Sequence, residues 1–452
     1  MKNLTDGEPA KLILAFTLPL IAGNIFQQLY AFVDTLIVGR FLGVTALAAV
    51  GCTGSLMFLM LGFVIGMTSG FSIYTGQRFG ANDEAGVKKS AATCLVLSLF
   101  SSIILTILGT SLCQTFLVLM QTPAEILDGA TAFISIVYGG IILFVMMQMQ
   151  TNIIRALGDS RTPTIILAST LIVNIILEPI AILVLEWGIK GAALATVASQ
   201  FIGNAICLYY IRKKVPAIHI TVNDIKSIDR KILQAHLKIG LPMGFQSSII
   251  AIGAVVLQVA LNNLGPLAVA SYAASQKVDA VALMPMMSFG MAMAAYTAQN
   301  YGARKYDRII DGVKKCAFMS VGFAILAAIF NIKFGTDIMY LFVGDDQEEV
   351  IAYGRLYLVV NGLCYFILAL LFIFRYTLQG LGQSTIPTVA GIMELFMRVA
   401  AAIFLVKHYG FLGACFANPL AWLGACIPLT FAYFSAQKKF KRILARHKLH
   451  AK

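Results

Sequence analysis

Leu157-Gly-Asp-Ser-Arg-Thr-Pro-Thr164 returns 224 residues later as Leu381-Gly-Gln-Ser-Thr-Ile-Pro-Thr388. Outward from this stretch the punctuation of the chain repeats as well. Gln77-Arg-Phe-Gly-Ala81 answers to Gln299-Asn-Tyr-Gly-Ala303, and Pro19, Gly43, Gly80, Pro163 and Gly191 answer to Pro242, Gly265, Gly302, Pro387 and Gly413, all at offsets of 222 to 224. A nearly constant offset held over so long a stretch marks two duplicated halves.

Between these marks the chain is too apolar for water. Of 452 residues, 59% are hydrophobic and 12% charged. Runs such as 45–73, 164–185, 389–406 and 410–434 are long enough to cross a hydrocarbon core of about 30 Å at 1.5 Å per residue. The pattern predicts an all-α polytopic membrane protein with about twelve transmembrane helices between residues 12 and 435. Six spans per half is an even number, so both halves enter with the same polarity. They are then parallel repeats, related by a pseudo-two-fold axis along the membrane normal. The expected organisation is an N-lobe at 1–212, a charged linker at 213–236, a C-lobe at 237–437 and a basic tail at 438–452. The first apolar stretch is about 25 residues long and lacks an Ala-x-Ala-like site behind it, which reads as a retained span.

A net charge of +13 is distributed by membrane side rather than gathered for nucleic acid: 27 of the 34 Lys and Arg fall on the side of the two termini and five on the other. The remaining two, Lys277 and Arg398, lie within spans. Positive loops face the cytoplasm, so both termini are expected there, in a cell-membrane protein. The eight cysteines are scattered without a C-x-x-C pair, and the five histidines read as loop or tail residues. No phosphate loop and no His-Glu-x-x-His motif occurs, which leaves ATP-driven transport and zinc peptidase chemistry without support. No cofactor is expected.

Carboxylates inside hydrocarbon cost about 2.5 to 3.5 kcal/mol on insertion scales, so an intramembrane acid signals function unless it is paired. Asp34 in span one and Glu178 in span five are such acids. Each ends a polar stripe at helical spacing: Gly23, Gln27, Tyr30 and Asp34 on one helix, Thr170, Asn174 and Glu178 on the other. Burial and like charge would favour the protonated form of such a pair, and the two would titrate together. Gln27, Tyr30 and Thr170 are candidate cavity residues. Gln246, with Met287 and Met291 beside Pro285, could add an adaptable surface in the second half, although most helical Met simply fills core. Lys277, Asp279, Glu394 and Arg398 are secondary ionisable candidates. Glu394 and Arg398 are four apart and suited to pair with each other, whereas Lys277 and Asp279 face apart. At the repeat positions of Asp34, Asn174 and Glu178 stand Leu257, Arg398 and Ala402, so the acid pair belongs to the first half alone.

Leu18-Pro19, Val33-Asp34-Thr-Leu-Ile-Val-Gly39, Gln77-Arg-Phe-Gly-Ala81, Arg155-Ala-Leu-Gly-Asp-Ser-Arg-Thr-Pro163, Asn174-Ile-Ile-Leu-Glu-Pro179 and Gln299-Asn-Tyr-Gly-Ala303 together resemble the MATE (multidrug and toxic compound extrusion) family. The resemblance runs from about Pro9 to the twelfth span. It implies a monomeric exporter of small organic cations in exchange for H+ or Na+ by alternating access, with Asp34, Asn174 and Glu178 as coupling residues and as the place where Na+ would bind. The acids match the DinF-like branch better than the NorM-like branch, which carries acids in spans seven and ten; here Glu178 stands where the DinF-like branch has Asp. The competing reading is a flippase of lipid-linked oligosaccharide, which would want bases in its cavity for a pyrophosphate. A membrane-embedded enzyme or receptor would need a catalytic constellation the chain lacks, and would not need the duplication.

Overall fold

A computed structural model describes residues 3–343 and 348–450; residues 451–452 of the expected tail lie outside them. Every element among the described residues is helical. This is what hydrocarbon demands, since a helix satisfies its own backbone polar groups. In chain order the first helices are α1 (Pro9–Gly80), α2 (Glu84–Leu119), α3 (Ala124–Gly139), α4 (Ile141–Ala156), α5 (Arg161–Pro179), α6 (Gly188–Lys214), the short α7 (Val222–Lys226) and α8 (Arg230–Asn262). There follow α9 (Pro266–Gly302), α10 (Tyr306–Val343), α11 (Glu348–Leu363), α12 (Tyr365–Gly380), α13 (Thr385–Ala400), α14 (Val406–Tyr409), α15 (Phe411–Cys415) and α16 (Ala417–His450).

Ten helical stretches among the described residues are long and apolar enough to cross a membrane, and the pair α3 and α4, bent by 46°, makes up to eleven. The 72 residues of α1 are broken at Gly43, where φ is 84°. Its repeat partner Gly265, just before α9, has φ 96°. A side chain at either position would be strained, which is why both copies keep glycine. Gly80 and Gly302 likewise both end a helix.

The chain divides into two compact units. Among the described residues, one is Ala22–Gly244 and the other is Asn3–Ile21 with the chain from Phe245 onward. The divisions therefore fall inside α1 and α8, not in the linker, and they are themselves related by the 223-residue repeat. Pro19 and Pro242, each of which removes one i to i−4 hydrogen bond from its helix, stand just ahead of them.

The first unit is built around Val64, Ile134, Tyr138 and Val145, with a second cluster about Met67, Phe71, Ala91 and Cys94. Here Gly70 of α1 meets bare backbone: a Cβ on it would stand 2.6 Å from the Cα of Gly240 in α8. Close approach of this kind lets helices associate where lipid supplies no hydrophobic drive. The second unit packs around Phe289, Met293, Tyr365 and Trp422. Its N-terminal strap, Asn3–Gly7, is held by the repeated Gln-x-x-Gly-Ala turn. The Leu4 amide donates to Gln299 Oε1 at 2.9 Å, Asn300 Nδ2 donates to the Leu4 carbonyl at 3.1 Å, and Arg308 Nη1 donates to the Gly7 carbonyl at 2.8 Å. Lys305 Nζ stands 2.7 Å from Asp6. That ammonium holds the Asp6 carboxyl below its ordinary pKa.

Two sequence expectations change. His236, read as a loop residue, lies buried in α8, its Nε2 2.8 Å from Ser90 Oγ and its Nδ1 2.8 Å from the Ile232 carbonyl. Arg375, counted among the loop cations, lies buried in α12, so the bases inside spans are not confined to Lys277 and Arg398. All eight cysteines are free.

Both α5 and α13 run into a π turn, Ile180–Val184 and Ala401–Leu405 respectively. Pro179 precedes the first and alanine the second, so proline is not what widens the helix. The repeated glycine explains the pairing better. A Cβ on Gly413 would stand 2.2 Å from the Leu405 carbonyl oxygen, and one on Gly191 3.0 Å from that of Ala181. The following helix begins with its bare backbone against the π turn. Gly413→Ala is therefore expected to destabilise the detergent-solubilised protein by about 1–3 kcal/mol, and Gly191→Ala by less, measured by thermal unfolding. Equal, negligible effects would contradict this packing.

Candidate functional site

The stripe on α5 is buried in the first unit. Thr170 is 2% exposed, Asn174 and Glu178 not at all. Spacing of i, i+4 and i+8 puts all three on one face, and the Thr170 hydroxyl donates to the Ile166 carbonyl at 2.9 Å. On α1, Tyr30 and Asp34 are stacked one turn apart. The carboxyl groups of Asp34 and Glu178 adjoin, close enough to hydrogen-bond once one of them carries a proton. Apart from each other they are unsatisfied: Asp34 Oδ1, both Glu178 oxygens and both polar atoms of Asn174 are buried without a formed hydrogen bond.

A third helix completes the cluster. The Tyr30 hydroxyl lies beside Thr196 and Ser199 of α6 and within electrostatic range of both acids, without a well-formed bond. Thr196 and Ser199 donate their own hydrogens to the Ala192 and Thr196 carbonyls, at 3.2 and 2.8 Å, which leaves their oxygens free to accept. Gly203 brings α6 close at this level: a Cβ there would stand 2.5 Å from Thr170 Oγ1.

One helical turn from Asp34 and two from Glu178 opens a cavity of about 400 Å³ inside the same unit. Its walls are largely apolar and aromatic, with Phe26, Met57, Phe58, Phe144 and Met147. Its polar groups are few: Gln27, Gln28, Tyr30, Gln148, Thr170, Thr196 and Gln200. A mostly apolar cleft with a few convergent polar groups is the usual form of a small-molecule site. Tyr30, Thr170 and Thr196 belong both to the cavity wall and to the helical turns that carry or face the carboxyls.

Asp34, Asn174, Glu178, Tyr30, Thr170 and Gln27 thus come together as their stripes suggest. Thr196, Ser199 and Gln200 were missed, although i, i+3, i+4 spacing in an apolar span is the signal that finds them.

The second-half candidates belong to the other unit, where most of their polar atoms are paired. Asp279 accepts from the Tyr357 hydroxyl at 3.1 Å and from the Tyr365 hydroxyl, which in turn accepts from Asn331 Nδ2 at 2.8 Å. Lys277 is exposed and faces away from Asp279, as their spacing requires. Glu394 is closed by the buried Arg375, while the expected partner Arg398 reaches it only at 4.0 Å and donates to the Ile250 carbonyl at 3.3 Å. Gln246 bridges, donating to the Pro387 carbonyl at 2.9 Å and accepting from Gln379 Nε2 at 3.0 Å. Met287 and Met291 are half-buried, with Met291 packed on the core beside Met286 and Met293.

Many apolar spans, a duplicated scaffold and a largely apolar cavity near unsatisfied acids define a multi-span membrane transporter. The MatE family pattern matches residues 19–180 and again 242–404, and the chain belongs to that family. It is 27% identical over 437 residues to the probable multidrug resistance protein YoeA of Bacillus subtilis (strain 168), covering 95% of this chain and 94% of that protein. It is 24% identical over 434 residues to the probable multidrug resistance protein NorM of Thermotoga maritima, covering 94% and 90%. A crystal structure of MATE in complex with MaL6 shares the fold at a TM-score of 0.90 and 23% identity, covering 97% of this chain and 100% of that one.

Asp34→Asn places an amide donor where Glu178 now finds only another carboxyl. It is expected to stabilise the detergent-solubilised protein by about 1–3 kcal/mol near neutral pH, read as a raised melting temperature. A lowered melting temperature would mean that Asp34 is held by a partner other than Glu178.

Proposed function

We propose that this chain is a secondary active exporter of amphipathic organic cations and drugs, coupled to inward movement of H+ or Na+. The reading rests on one observation above others: two adjoining carboxyls without a paired base stand within one to two helical turns of an apolar, aromatic cavity. An apolar wall accepts the body of an amphipathic cation, aromatic faces favour its charge, and the carboxyls supply the counter-charge. The multidrug names of its relatives point the same way.

The mechanism is alternating access. Counting α1 as two passes about Gly43 gives twelve spans in two parallel six-span lobes, 1–212 and 237–437, in a monomer with both termini cytoplasmic. From outside, H+ or Na+ enters the Asp34–Glu178 pair, with Asn174 and Tyr30 able to donate or accept as the charge changes. The cavity loses its counter-charge and releases the organic cation. Reorientation exposes the pair to the cytoplasm, where loss of the ion restores the charge and the next cation binds. Exporting a monovalent cation against 100 mV costs about 2.3 kcal/mol, which one entering monovalent ion returns. One-for-one exchange is then electrically silent and runs on the ion gradient alone.

Acids in spans one and five, with none in span seven, support a reading closer to the DinF-like branch than to the NorM-like branch. A flippase would need bases free to meet a pyrophosphate. Arg375 is instead closed on Glu394, which weakens that alternative.

Ethidium export from proteoliposomes, with pH and sodium gradients imposed separately, tests the proposal. Export is expected under one of the two gradients. Asp34→Asn should abolish it and Glu178→Gln should reduce it at least about tenfold, each with normal elution on size exclusion. Export driven by neither gradient, or undiminished in Asp34→Asn, would overturn the reading.

A further inference from the structure

At the basic end of the first unit a second cavity, of about 330 Å³, opens between three helix ends: Tyr74 and Arg78 of α1, Asp83 to Lys89 at the start of α2, and Asp229 to Ile232 at the start of α8. Its acids are already engaged. Asp83 accepts from the Gly86 amide at 2.8 Å and from Arg78 Nη1 at 3.2 Å, and Asp229 accepts from the Ile232 amide at 2.7 Å. Asp224, the next acid toward Lys89, is taken up by the amide and hydroxyl of Thr221 at 2.7 and 2.6 Å. Lys89 and Lys231 form no ion pair among the described residues. Arg78 lies over the Tyr74 ring at 4.8 Å, so its guanidinium is fixed in place at the rim.

In the second unit the residue at the repeat position of Asp83 is a base, Lys305. There the strap residue Asp6 brings a carboxylate to Lys305 at 2.7 Å. Asp229 is the counterpart of Asp6 by the 223-residue offset, but it turns back to cap its own helix. Thus the second half pairs a strap acid with Lys305, whereas in the first half Asp83 is paired with Arg78, and Lys89 and Lys231 face the cavity outside any ion pair among the described residues. The cavity lies where apolar helices end, on the side that the Lys and Arg distribution assigns to the cytoplasm, at headgroup depth. Basic pockets between helix ends on that side suit anionic lipid headgroups.

We propose that this cavity seats the phosphodiester headgroup of an anionic phospholipid, with Lys89 and Lys231 meeting the phosphate oxygens and the Tyr74–Arg78 pair forming the rim. The site is separate from the acid pair and adds a lipid requirement to a transporter whose substrate chemistry lies deeper. Lysine meets phosphate as a point charge, so the seat selects the headgroup's charge and not the chemistry of its acyl chains.

The test is native mass spectrometry of the detergent-purified protein, titrated with short-chain phosphatidylglycerol, short-chain phosphatidylcholine or inorganic phosphate. The variants are the double substitution K89Q and K231Q and, as a charge-matched control in the tail, K438Q and K439Q. Phosphatidylglycerol is expected to bind at least about tenfold more tightly than phosphatidylcholine, a preference lost in the cavity variant and kept in the tail variant. Equal affinity for the two lipids, or a preference unaffected by the cavity variant, would overturn the proposal. Inorganic phosphate competing at the same concentration as the lipid would replace the lipid assignment with a soluble anion.

Discussion

Two carboxyl groups adjoin inside an apolar bundle, and among the described residues no basic side chain is paired with either. Left ionised together, they would repel across a medium that screens little. The surrounding polar atoms do not resolve this: Asn174 is unsatisfied at both ends, and the Tyr30 hydroxyl stands near acceptors without a formed bond. A buried polar cluster so incompletely satisfied is costly, and such cost is tolerated where something comes and goes. The 400 Å³ cavity, one turn from Asp34 and two from Glu178, has the size of a small-molecule site.

Around this constraint the two halves use one backbone for different ends. Positive φ at Gly43 and Gly265, and the glycine that starts against each π turn, are requirements of main-chain geometry and are met identically in both copies. The side chains hung on that frame diverge. Where the first unit leaves Asp34 and Glu178 open, the second closes Glu394 onto Arg375 and gives Asp279 two tyrosine hydroxyls. Paired charges of this kind are bound to their positions by the loss incurred on breaking them. Polar satisfaction thus separates a half that leaves its buried carboxyls open from one that holds its charges fixed.

The duplication and the two polar stripes were legible because each rests on spacing: a constant offset, or a period of 3.6 residues. The intramembrane acids were legible because hydrocarbon makes them expensive. Contacts between helices far apart in sequence were not. That Asp34 meets Glu178, or that Thr196 and Ser199 face Tyr30, depends on how helices rotate about their axes, which no single-helix pattern fixes. Arg375 was misplaced because it lies near the end of an apolar run, where a buried arginine and a loop arginine look alike. His236 was misplaced for the same reason at the start of α8. Gln246 has the composition of a cavity residue and spends its amide on the Pro387 carbonyl, a use visible only once the helices are packed.

The central claim is that ion and organic cation compete for the same pair of carboxyls. Its most direct measurement is equilibrium binding of ethidium to the purified protein between about pH 5 and 8, with and without sodium. If protons compete, the apparent Kd rises by up to about tenfold per pH unit on the acid side; if sodium competes, it rises with sodium instead; and in Asp34→Asn the dependence is much reduced. An ethidium Kd that is the same at every pH and sodium concentration would contradict the account.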